Sequence, residues 1–230
     1  MSVTSDAPAS HYETIWDDYS RRWDEDPHFR RYRHLGDEWG PDEWVSGVIE
    51  GFAKPYLRPE SVALEIGPGG GRYTMRLAPL CAEIFGVDVS NEMLSRAERR
   101  LAHHGHVHFA KGNGRDLGAI PDASVNFVFS FNVFVQLALE DVHGYLEEIA
   151  RVLTPNGVAA LHYATLSTDE GFAYFRQHRE SWSKDPLQRG RFGPLTLDAM
   201  AFLAASVGLG VLRNEPIGRD AMVVLQKPAR

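Results

Sequence analysis

A short apolar strand that runs into a cluster of four glycines constrains this chain more than any other feature. The run Val62–Ile66 is followed by Gly67, Pro68 and then three consecutive glycines, after which a helical pattern begins. Because glycine leaves the backbone bare, a ligand can approach such a turn and meet the N-terminus of the following helix. The spacing therefore predicts a ligand-binding turn between a strand and a helix.

This turn departs from the pattern that binds dinucleotides. That pattern reads G-x-G-x-x-G, and Arg72 occupies the position of its third glycine here. Glu65 stands two residues before the first glycine, where its carboxylate would repel a pyrophosphate. The turn therefore favours a ligand that carries a positive charge.

Length and composition indicate one globular domain. The chain has 230 residues, 43% hydrophobic and 24% charged, with a formal net charge of −7. This charge does not favour nucleic acid or an anionic membrane, and no apolar run approaches the roughly 20 residues of a membrane span. The single cysteine, Cys81, fits a reducing compartment. We expect a cytoplasmic protein without a signal peptide, whose residues 1–10 are disordered.

Strand and helix patterns alternate from Val62 to the C-terminus, which predicts a parallel α/β sheet with helices on both faces. The last two predicted strands are joined by a short turn around Pro216 and Gly218, so they should be antiparallel. We expect residues 1–58 to form an N-terminal helical cap and residues 59–230 to form the main domain, with an insertion at about 165–195. Predicted strands begin near residues 62, 84, 107, 125, 158, 209 and 221, and helical patterns cover 12–23, 44–52, 73–80, 91–102, 140–153 and 197–207.

The first four predicted strands each end in residues suited to a nucleoside. Asp88 ends the second strand about 20 residues after the glycine turn, where an acid can hold both hydroxyls of a ribose. Asn113 follows the third strand with an amide that can pair with an adenine edge, and Gly114 leaves a backbone N–H free. Phe131 and Asn132 follow the fourth strand. Ligands of open α/β sheets bind at the carboxyl ends of the strands, so these residues predict one site.

Together the motifs resemble the class I S-adenosylmethionine-dependent methyltransferases. The resemblance covers roughly residues 60–165 and the terminal antiparallel pair. It implies a Rossmann-like, seven-stranded, mostly parallel sheet of order 3-2-1-4-5-7-6 with an antiparallel last strand. It also implies S-adenosylmethionine as cofactor and S-adenosylhomocysteine as product. The motifs are E-I-G-P-G-G-G from Glu65, V-D-V-S-N-E-M-L from Val87, G-N-G-R-D-L from Gly112, F-V-F-S-F-N from Phe127 and R-V-L-T-P-N-G from Arg151.

The resemblance also implies which residues hold the cofactor. The glycine turn would hold its methionine end, Asp88 its ribose, and the residues after the second and third strands its adenine. Many members of the family carry aspartate in place of Asn113, which predicts a somewhat altered affinity. The implied cofactor residues are Glu65, Gly67, Gly69, Gly71, Asp88, Val89, Met93, Asn113, Gly114, Phe131 and Asn132.

A hydroxyl acceptor would need a general base besides in-line positioning. His162, at the tip of the fifth strand beside Tyr163, is the first candidate for that base, and His143 is the second. A structural, hydrogen-bonded histidine is an equal alternative for His162, and an exposed helix residue is the favoured alternative for His143. We expect a small-molecule acceptor, with the hydroxyl oxygen of a sugar or natural-product alcohol as the methylated atom, and a monomer or homodimer.

Aromatic residues are the candidates for contact with the acceptor. Tyr12, Trp16, Tyr19 and Trp23 fall on one helical face. We favour packing of this face onto the sheet edge over a lid in which Tyr19 and Trp23 contact the acceptor. Tyr163, next to His162, and Phe172, in the insertion, are further candidates. The arginines near Phe172 are expected to form a solvated surface rather than an anion site; they are Arg176, Arg179, Arg189 and Arg191.

Other chemistries have weaker support in the sequence. The cluster of histidines at residues 103, 104, 106 and 108 lacks a metal-ligand pattern, so we favour a solvated turn. No pattern indicates a metal, although Glu140 and Asp141 near His143 leave room for a divalent ion. An NAD(P)-dependent oxidoreductase is an alternative against which Arg72 and Glu65 argue. A catalytically silent module that binds the cofactor or its product is the third class.

Overall fold

The computed structural model describes residues 11–185 and 191–229. The expected disorder of residues 1–10 and the predicted role of Arg189 lie outside these ranges. Seven strands form one sheet of order β3-β2-β1-β4-β5-β7-β6. The strands are β1 Val62–Ile66, β2 Glu83–Asp88, β3 Val107–Lys111, β4 Val125–Ser130, β5 Leu153–Ala164, β6 Gly210–Ile217 and β7 Asp220–Gln226.

Strand directions follow the predicted pattern. Strands β1 to β5 run parallel to one another, whereas β7 lies antiparallel between β5 and β6. The predicted sheet order and the antiparallel last strand are therefore confirmed. Since β7 runs in the opposite direction, its first residue lies at the end of the sheet where the parallel strands have their carboxyl ends.

Helices cover both faces of the sheet. Leu64, Val128 and Leu161 face the side packed by α5 and α7, whereas Ala63 and Phe127 face the side packed by α2. Both sets are buried, which explains why the central strands read as nearly continuous apolar runs. The α-helices are α1 His11–Glu25, α2 Asp42–Phe52, α3 Thr74–Leu77, α4 Asn91–Arg100, α5 Leu139–Val152, α6 Asp169–Lys184 and α7 Leu197–Ser206.

Three local predictions need correction. The helix expected over residues 73–80 is only the four-residue α3, followed by a 3-10 turn at Ala78–Leu80 whose Pro79 has no N–H to donate. Residues 154–157, which separate the predicted helix from the predicted fifth strand, lie inside β5, where the register with β4 shifts and Asn156 adopts φ 63°. Pro216, expected in the last turn, lies in β6 instead, so the hairpin turns at Gly218 and Arg219.

The N-terminal segment lies against the glycine turn and α4. The Arg72 guanidinium, which is buried, donates to the carbonyl oxygens of Gly36 (3.0 Å) and Gly40 (2.6 Å). From α4, the Arg96 guanidinium donates to the Ser20 carbonyl oxygen at 2.8 Å, and that of Arg100 donates to Asp37 at 3.0 Å. Three arginines of the main domain therefore hold residues 20–40 in place. In the described part of the chain, no helix is long and apolar enough to cross a bilayer.

Candidate active site

A cavity of about 470 Å³ opens at the carboxyl ends of the first four strands. Gly67 and Gly69 from the turn after β1, Asp88 from β2 and Gly114 from the loop after β3 line it. Phe131 after β4 forms the wall next to the fifth strand. Its size is in the range of small-molecule and cofactor sites, and it lies where open α/β sheets bind ligands.

The four glycines of the turn divide into two pairs. Gly67 (φ 71°) and Gly69 (φ 53°) adopt left-handed backbone conformations and face the cavity. At Gly70 a Cβ would overlap the Leu35 carbonyl oxygen, and at Gly71 it would lie 2.6 Å from the Leu101 Cδ1. Gly71, which was predicted to contact the cofactor, does not line the cavity. Its missing side chain instead allows the turn to pack closely against α4.

Asp88 is buried at the tip of β2, with its carboxylate at the cavity. One oxygen accepts a hydrogen bond from the Gly69 N–H (3.0 Å) and the other from the Ser90 N–H (2.9 Å). Burial raises the pKa of this carboxyl, and the two N–H donors oppose the rise. Ser90 also caps α4 by accepting from the Met93 N–H. Val89 and Met93 thereby reach the cavity wall.

Glu65 lies beneath the turn instead of lining the cavity. It is 2% exposed, and its carboxylate accepts a hydrogen bond of 2.6 Å from the Thr74 hydroxyl of α3. Burial raises its pKa to about 8, so the carboxyl is mostly protonated at neutral pH. Glu65, predicted to contact the ligand directly, therefore lies behind the cavity wall and ties the turn to α3.

Asn113 also lies outside the cavity lining. Its side-chain oxygen accepts from the N–H groups of Arg115 (2.9 Å) and Asp116 (3.0 Å), and its amide donates to the Asp116 carboxylate at 2.6 Å. The amide predicted to meet an adenine edge is therefore occupied by its own loop. Gly112 and Gly114, on either side of it, line the cavity.

Phe131 and Asn132 form the wall on the side of β5. The Phe131 ring stacks between Tyr73, with centroids 4.7 Å apart, and His162, with centroids 4.0 Å apart. Asn132 adopts φ 62°, a left-handed conformation that asparagine tolerates. Its N–H donates to the His162 Nδ1 at 3.2 Å. His162 thus holds the backbone and the ring of this wall.

The environment of His162 favours the structural alternative over a general base. The ring is 2% exposed and is not part of the cavity lining. Its Nδ1 accepts from Asn132, and its Nε2 lies 3.5 Å from the Asp220 carboxylate. Burial lowers its pKa, and Asp220 opposes that shift. With both nitrogens engaged, the neutral ring has none left for an acceptor.

His143 lies outside the cavity as well. It is half-buried on α5, where its Nε2 is 3.4 Å from the Ser206 hydroxyl of α7. Its other nitrogen is 3.8 Å from Glu147. The structure therefore agrees better with the alternative, a helix residue outside the site, than with the predicted base, because the His143 side chain does not line the cavity.

The aromatic stripe of α1 covers the cavity. Tyr12, Trp16 and Tyr19 line it, together with Trp39, whose ring stacks on Tyr19 at 5.8 Å. The stripe therefore forms a lid, rather than only packing the helix onto the sheet edge. Trp23 does not reach the cavity and stacks on Phe29.

Two other predicted acceptor residues lie elsewhere. Tyr163 is buried in the core, and its hydroxyl donates to the Asn214 side chain at 2.6 Å. Phe172 is exposed on α6 and contacts Phe175. Of the four residues predicted to contact the acceptor, only Tyr19 lines the cavity.

Residues that sequence reasoning missed complete the cavity. Arg219 from the β6–β7 hairpin, Phe192 and Tyr145 all line it. Arg219 could have been found from the prediction that β7 is antiparallel, because that direction places the tip of the last hairpin beside the carboxyl ends of the parallel strands. Within residues 11–185 and 191–229, no group of three or more histidine, cysteine or acidic side chains is arranged to hold a metal ion.

Comparisons with known proteins match this geometry. Residues 64–161 match the family model described as a methyltransferase domain. This segment is a class I S-adenosylmethionine-dependent methyltransferase domain. The cofactor of that class is S-adenosylmethionine.

Individual relatives share limited parts of the chain. Over 94 residues, 41% of the chain, it is 33% identical to the demethylmenaquinone methyltransferase of Tropheryma whipplei, matching 38% of that protein. Over 66 residues, 29% of the chain, it is 36% identical to protein-L-isoaspartate O-methyltransferase 1 of Polaromonas, matching 28% of its length. The chain thus spans less than half of either relative.

A solved structure resembles almost the whole chain. It comes from a Haloferax volcanii complex between the Trm112 methyltransferase activator and a methyltransferase. The TM-score is 0.72 at 18% identity, and the match covers 95% of this chain and 98% of that one. At this identity the likeness shows the fold alone.

Proposed function

We propose that this protein transfers a methyl group from S-adenosylmethionine to an oxygen atom of a small molecule. The observation that carries the proposal is the meeting of a bare glycine turn, a buried carboxylate and an aromatic lid around one cavity. A positively charged nucleoside fits these groups, because Asp88 can accept from ribose hydroxyls and the turn presents backbone at Gly67 and Gly69.

In this proposal the lining residues divide between the parts of the cofactor. Asp88 holds the ribose, and Gly67 and Gly69 lie along the methionine end. Val89 and Met93 pack near the adenine, with Gly114 beside its edge. Phe131 and Asn132 bound the methionyl side. Residues 1–58 act as the cap and residues 59–230 as the cofactor-binding domain.

The acceptor half of the cavity offers positioning but no obvious base. Among the described residues that line it there is no histidine or lysine, and Asp88 is the one carboxylate. Burial raises the pKa of Tyr12 to about 12, with its hydroxyl between the Ala138 N–H and Asp141. A neutral sugar alcohol would need a base to take its proton. The cavity therefore favours an acceptor oxygen that is already ionised.

The cofactor supplies an activated methyl group bound to a positively charged sulfur. The residues of the chain hold the acceptor against that group and keep water away, and the lid of α1 and Trp39 is placed for both tasks. The two curated relatives are named for different acceptors, demethylmenaquinone and protein L-isoaspartate, so they do not narrow the choice.

Calorimetry with S-adenosylhomocysteine tests the cofactor part of this proposal. Asp88→Ala and the shape-preserving Asp88→Asn should weaken binding about 10- to 100-fold, since each removes charge-assisted hydrogen bonds. Asp122→Ala is the matched control, because this exposed acid pairs with Arg151 outside the cavity. Wild-type affinity in the Asp88 variants, or binding of NADPH without binding of S-adenosylhomocysteine, would contradict the proposal.

Transfer itself needs a separate measurement. Small-molecule extracts incubated with the protein and methyl-labelled cofactor should yield a labelled product. Binding without any transfer would instead indicate a catalytically silent module.

A further inference from the structure

We propose that Arg219 is the binding group for the acceptor, and that the acceptor is a carboxylic acid converted to its methyl ester. This inference rests on the proposed methyl transfer and names its substrate class. It follows from the position of Arg219, from the contacts that hold it, and from the lack of a histidine or lysine among the described residues of the cavity.

Arg219 is placed at the cavity by the fold. It is the second residue of the two-residue turn between β6 and β7, after Gly218 with φ 68°. Since β7 is antiparallel to β5, this turn lies at the same end of the sheet as the carboxyl ends of β1 to β4, where the proposed cofactor residues lie. Among the described residues that line the cavity, Arg219 is the one with a positive charge.

Two aromatic rings hold the guanidinium of Arg219. Its carbon lies 4.4 Å from the ring centre of Tyr174, on α6, and 4.4 Å from that of Phe192. Gly171 lets the start of α6 press close to the hairpin, since a Cβ there would lie 2.7 Å from the Arg219 carbonyl oxygen. The planar group is therefore fixed in orientation before any ligand arrives.

The hydrogen bonds of Arg219 leave one nitrogen available. Its Nε and Nη2 donate to the Asp220 carboxylate, the latter at 2.8 Å. The Asp220 carboxylate also lies 3.5 Å from the Nε2 of His162, so it interacts with both Arg219 and His162. Within the described part of the chain, the Nη1 of Arg219 has no protein acceptor. A half-buried guanidinium with a free N–H at a cavity suits a carboxylate oxygen.

A carboxylate also satisfies the proton balance of the reaction. Its oxygen attacks the methyl carbon, a C–O bond forms, and the C–S bond breaks with its electron pair passing to sulfur. The anion and the sulfonium become a neutral ester and a neutral thioether, and no proton is released. This reaction needs no general base, which matches the residues of the cavity. One carboxylate oxygen on Nη1 leaves the other free to react.

The first test measures binding without turnover. Octanoate and phenylacetate, with octanamide and phenylacetamide as uncharged counterparts, are titrated by calorimetry into protein saturated with S-adenosylhomocysteine. The acids should bind at least 10-fold more tightly than the amides. Arg219→Gln should remove that difference, and Arg219→Lys should restore part of it, with affinity for S-adenosylhomocysteine unchanged in both.

Arg213→Gln is the matched control for these variants. Arg213 lies on β6 and resembles Arg219 in its contacts, because it pairs with a nearby acid, Glu215, and lies over an aromatic ring, Phe52. Unlike Arg219, it is outside the cavity. This variant should keep the preference for acids. Equal binding of acids and amides by the wild type, or an unchanged preference in Arg219→Gln, overturns the inference.

The second test identifies the bond that is formed. Protein is incubated with methyl-labelled S-adenosylmethionine and a panel of alkyl and aryl carboxylic acids, phenols and alcohols. Methyl esters release labelled methanol in mild alkali, whereas methyl ethers do not. Alkali-labile label from the acids supports the inference, and alkali-stable label or no label from the acids overturns it. The proposed function fails separately, by the absence of S-adenosylhomocysteine binding.

Discussion

Glu65 and Asp88 are two buried acids near the carboxyl ends of neighbouring strands, and their surroundings differ. Asp88 accepts hydrogen bonds from two backbone N–H groups and faces the cavity. Among the described residues, Thr74 is the one hydrogen-bond donor to the Glu65 side chain, and Glu65 does not line the cavity. Burial raises the pKa of Glu65 to about 8, because one hydroxyl does not replace the water that a carboxylate loses.

The raised pKa of Glu65 predicts a pH-dependent stability of the ligand-free protein. The folded state keeps a proton that the unfolded chain releases above its usual pKa of 4.5. The free energy of unfolding should therefore fall as pH rises from 4.5 towards 8, by at most roughly 1.4 kcal/mol per pH unit. In Glu65→Gln this contribution is absent. Urea unfolding of both proteins across this range checks it, and parallel pH profiles would contradict it.

Gly71 predicts a stability effect without a direct effect on ligand contacts. A Cβ there would lie 2.6 Å from the Leu101 Cδ1 and 3.3 Å from the Ala97 backbone, at φ 78°. Gly71→Ala should lower the free energy of unfolding by about 1–3 kcal/mol because of overpacking and backbone strain. Gly105→Ala is the control, since nothing lies within 4 Å of its Cβ position. Equal stability of the two variants in urea would contradict this reading.

At the scale of single residues, the sequence predicted positions better than contacts. It placed Asp88, Gly67 and Gly69 at the carboxyl ends of the first two strands, because strand ends and glycine spacing are local features of the sequence. It did not reveal that Asn113 bonds its own loop, since that depends on the three-dimensional path of residues 112–116.

At the scale of elements, α1 depends on α4 for its position over the cavity. The Arg96 guanidinium donates to the Ser20 carbonyl and hydroxyl oxygens and pairs with Asp24. The Ser90 hydroxyl, which caps α4, also donates to Asp17 of α1 at 2.5 Å. The helix that carries the aromatic lid is therefore held by side chains of the helix that follows Asp88.

This dependence predicts the effect of Arg96→Ala. The variant should loosen α1, weaken S-adenosylhomocysteine binding several-fold and speed proteolysis within residues 11–40, because the lid loses its bonds to Ser20 and Asp24. Arg99→Ala is the control from the same helix, since the Arg99 side chain bonds Ser95 of α4 itself. Affinity and proteolysis rates equal in the two variants would show that Arg96 does not hold the lid.

The aromatic periodicity of α1 revealed a helix and its apolar face, but not the partner of that face. Four rings at helical spacing fit either a sheet edge or a lid. Choosing between them needs the distant bonds from Arg72, Arg96 and Arg100. Arg72 was visible in the sequence as a departure from a dinucleotide motif, although its contact with residues 36–42 was not.

At the scale of the whole molecule, the sheet order followed from the motifs and from the short last connection. Local patterns could not show the acceptor half of the cavity, because it joins α1, the segment around Phe192 and the last hairpin. These parts are far apart in the chain and meet only at the carboxyl edge of the sheet.

The whole-molecule fold predicts a thermal response to ligand. S-adenosylhomocysteine at 100 times its dissociation constant should stabilise the protein by about 2.7 kcal/mol, which corresponds to a rise in Tm of about 5–10 °C. NADPH at the same concentration should cause no rise. Differential scanning fluorimetry compares them, and stabilisation by NADPH alone would favour the oxidoreductase alternative.

The antiparallel direction of β7 determines at which end of the chain a fusion partner or a surface tether can be attached without covering the cavity. The strand begins at Asp220 beside the cavity and ends at Gln226 on the opposite edge of the sheet. A fusion partner or surface tether after this strand would point away from the mouth of the site. One joined ahead of α1 would start next to Tyr12, in the lid. Immobilisation through the C-terminal side should therefore leave the cavity accessible.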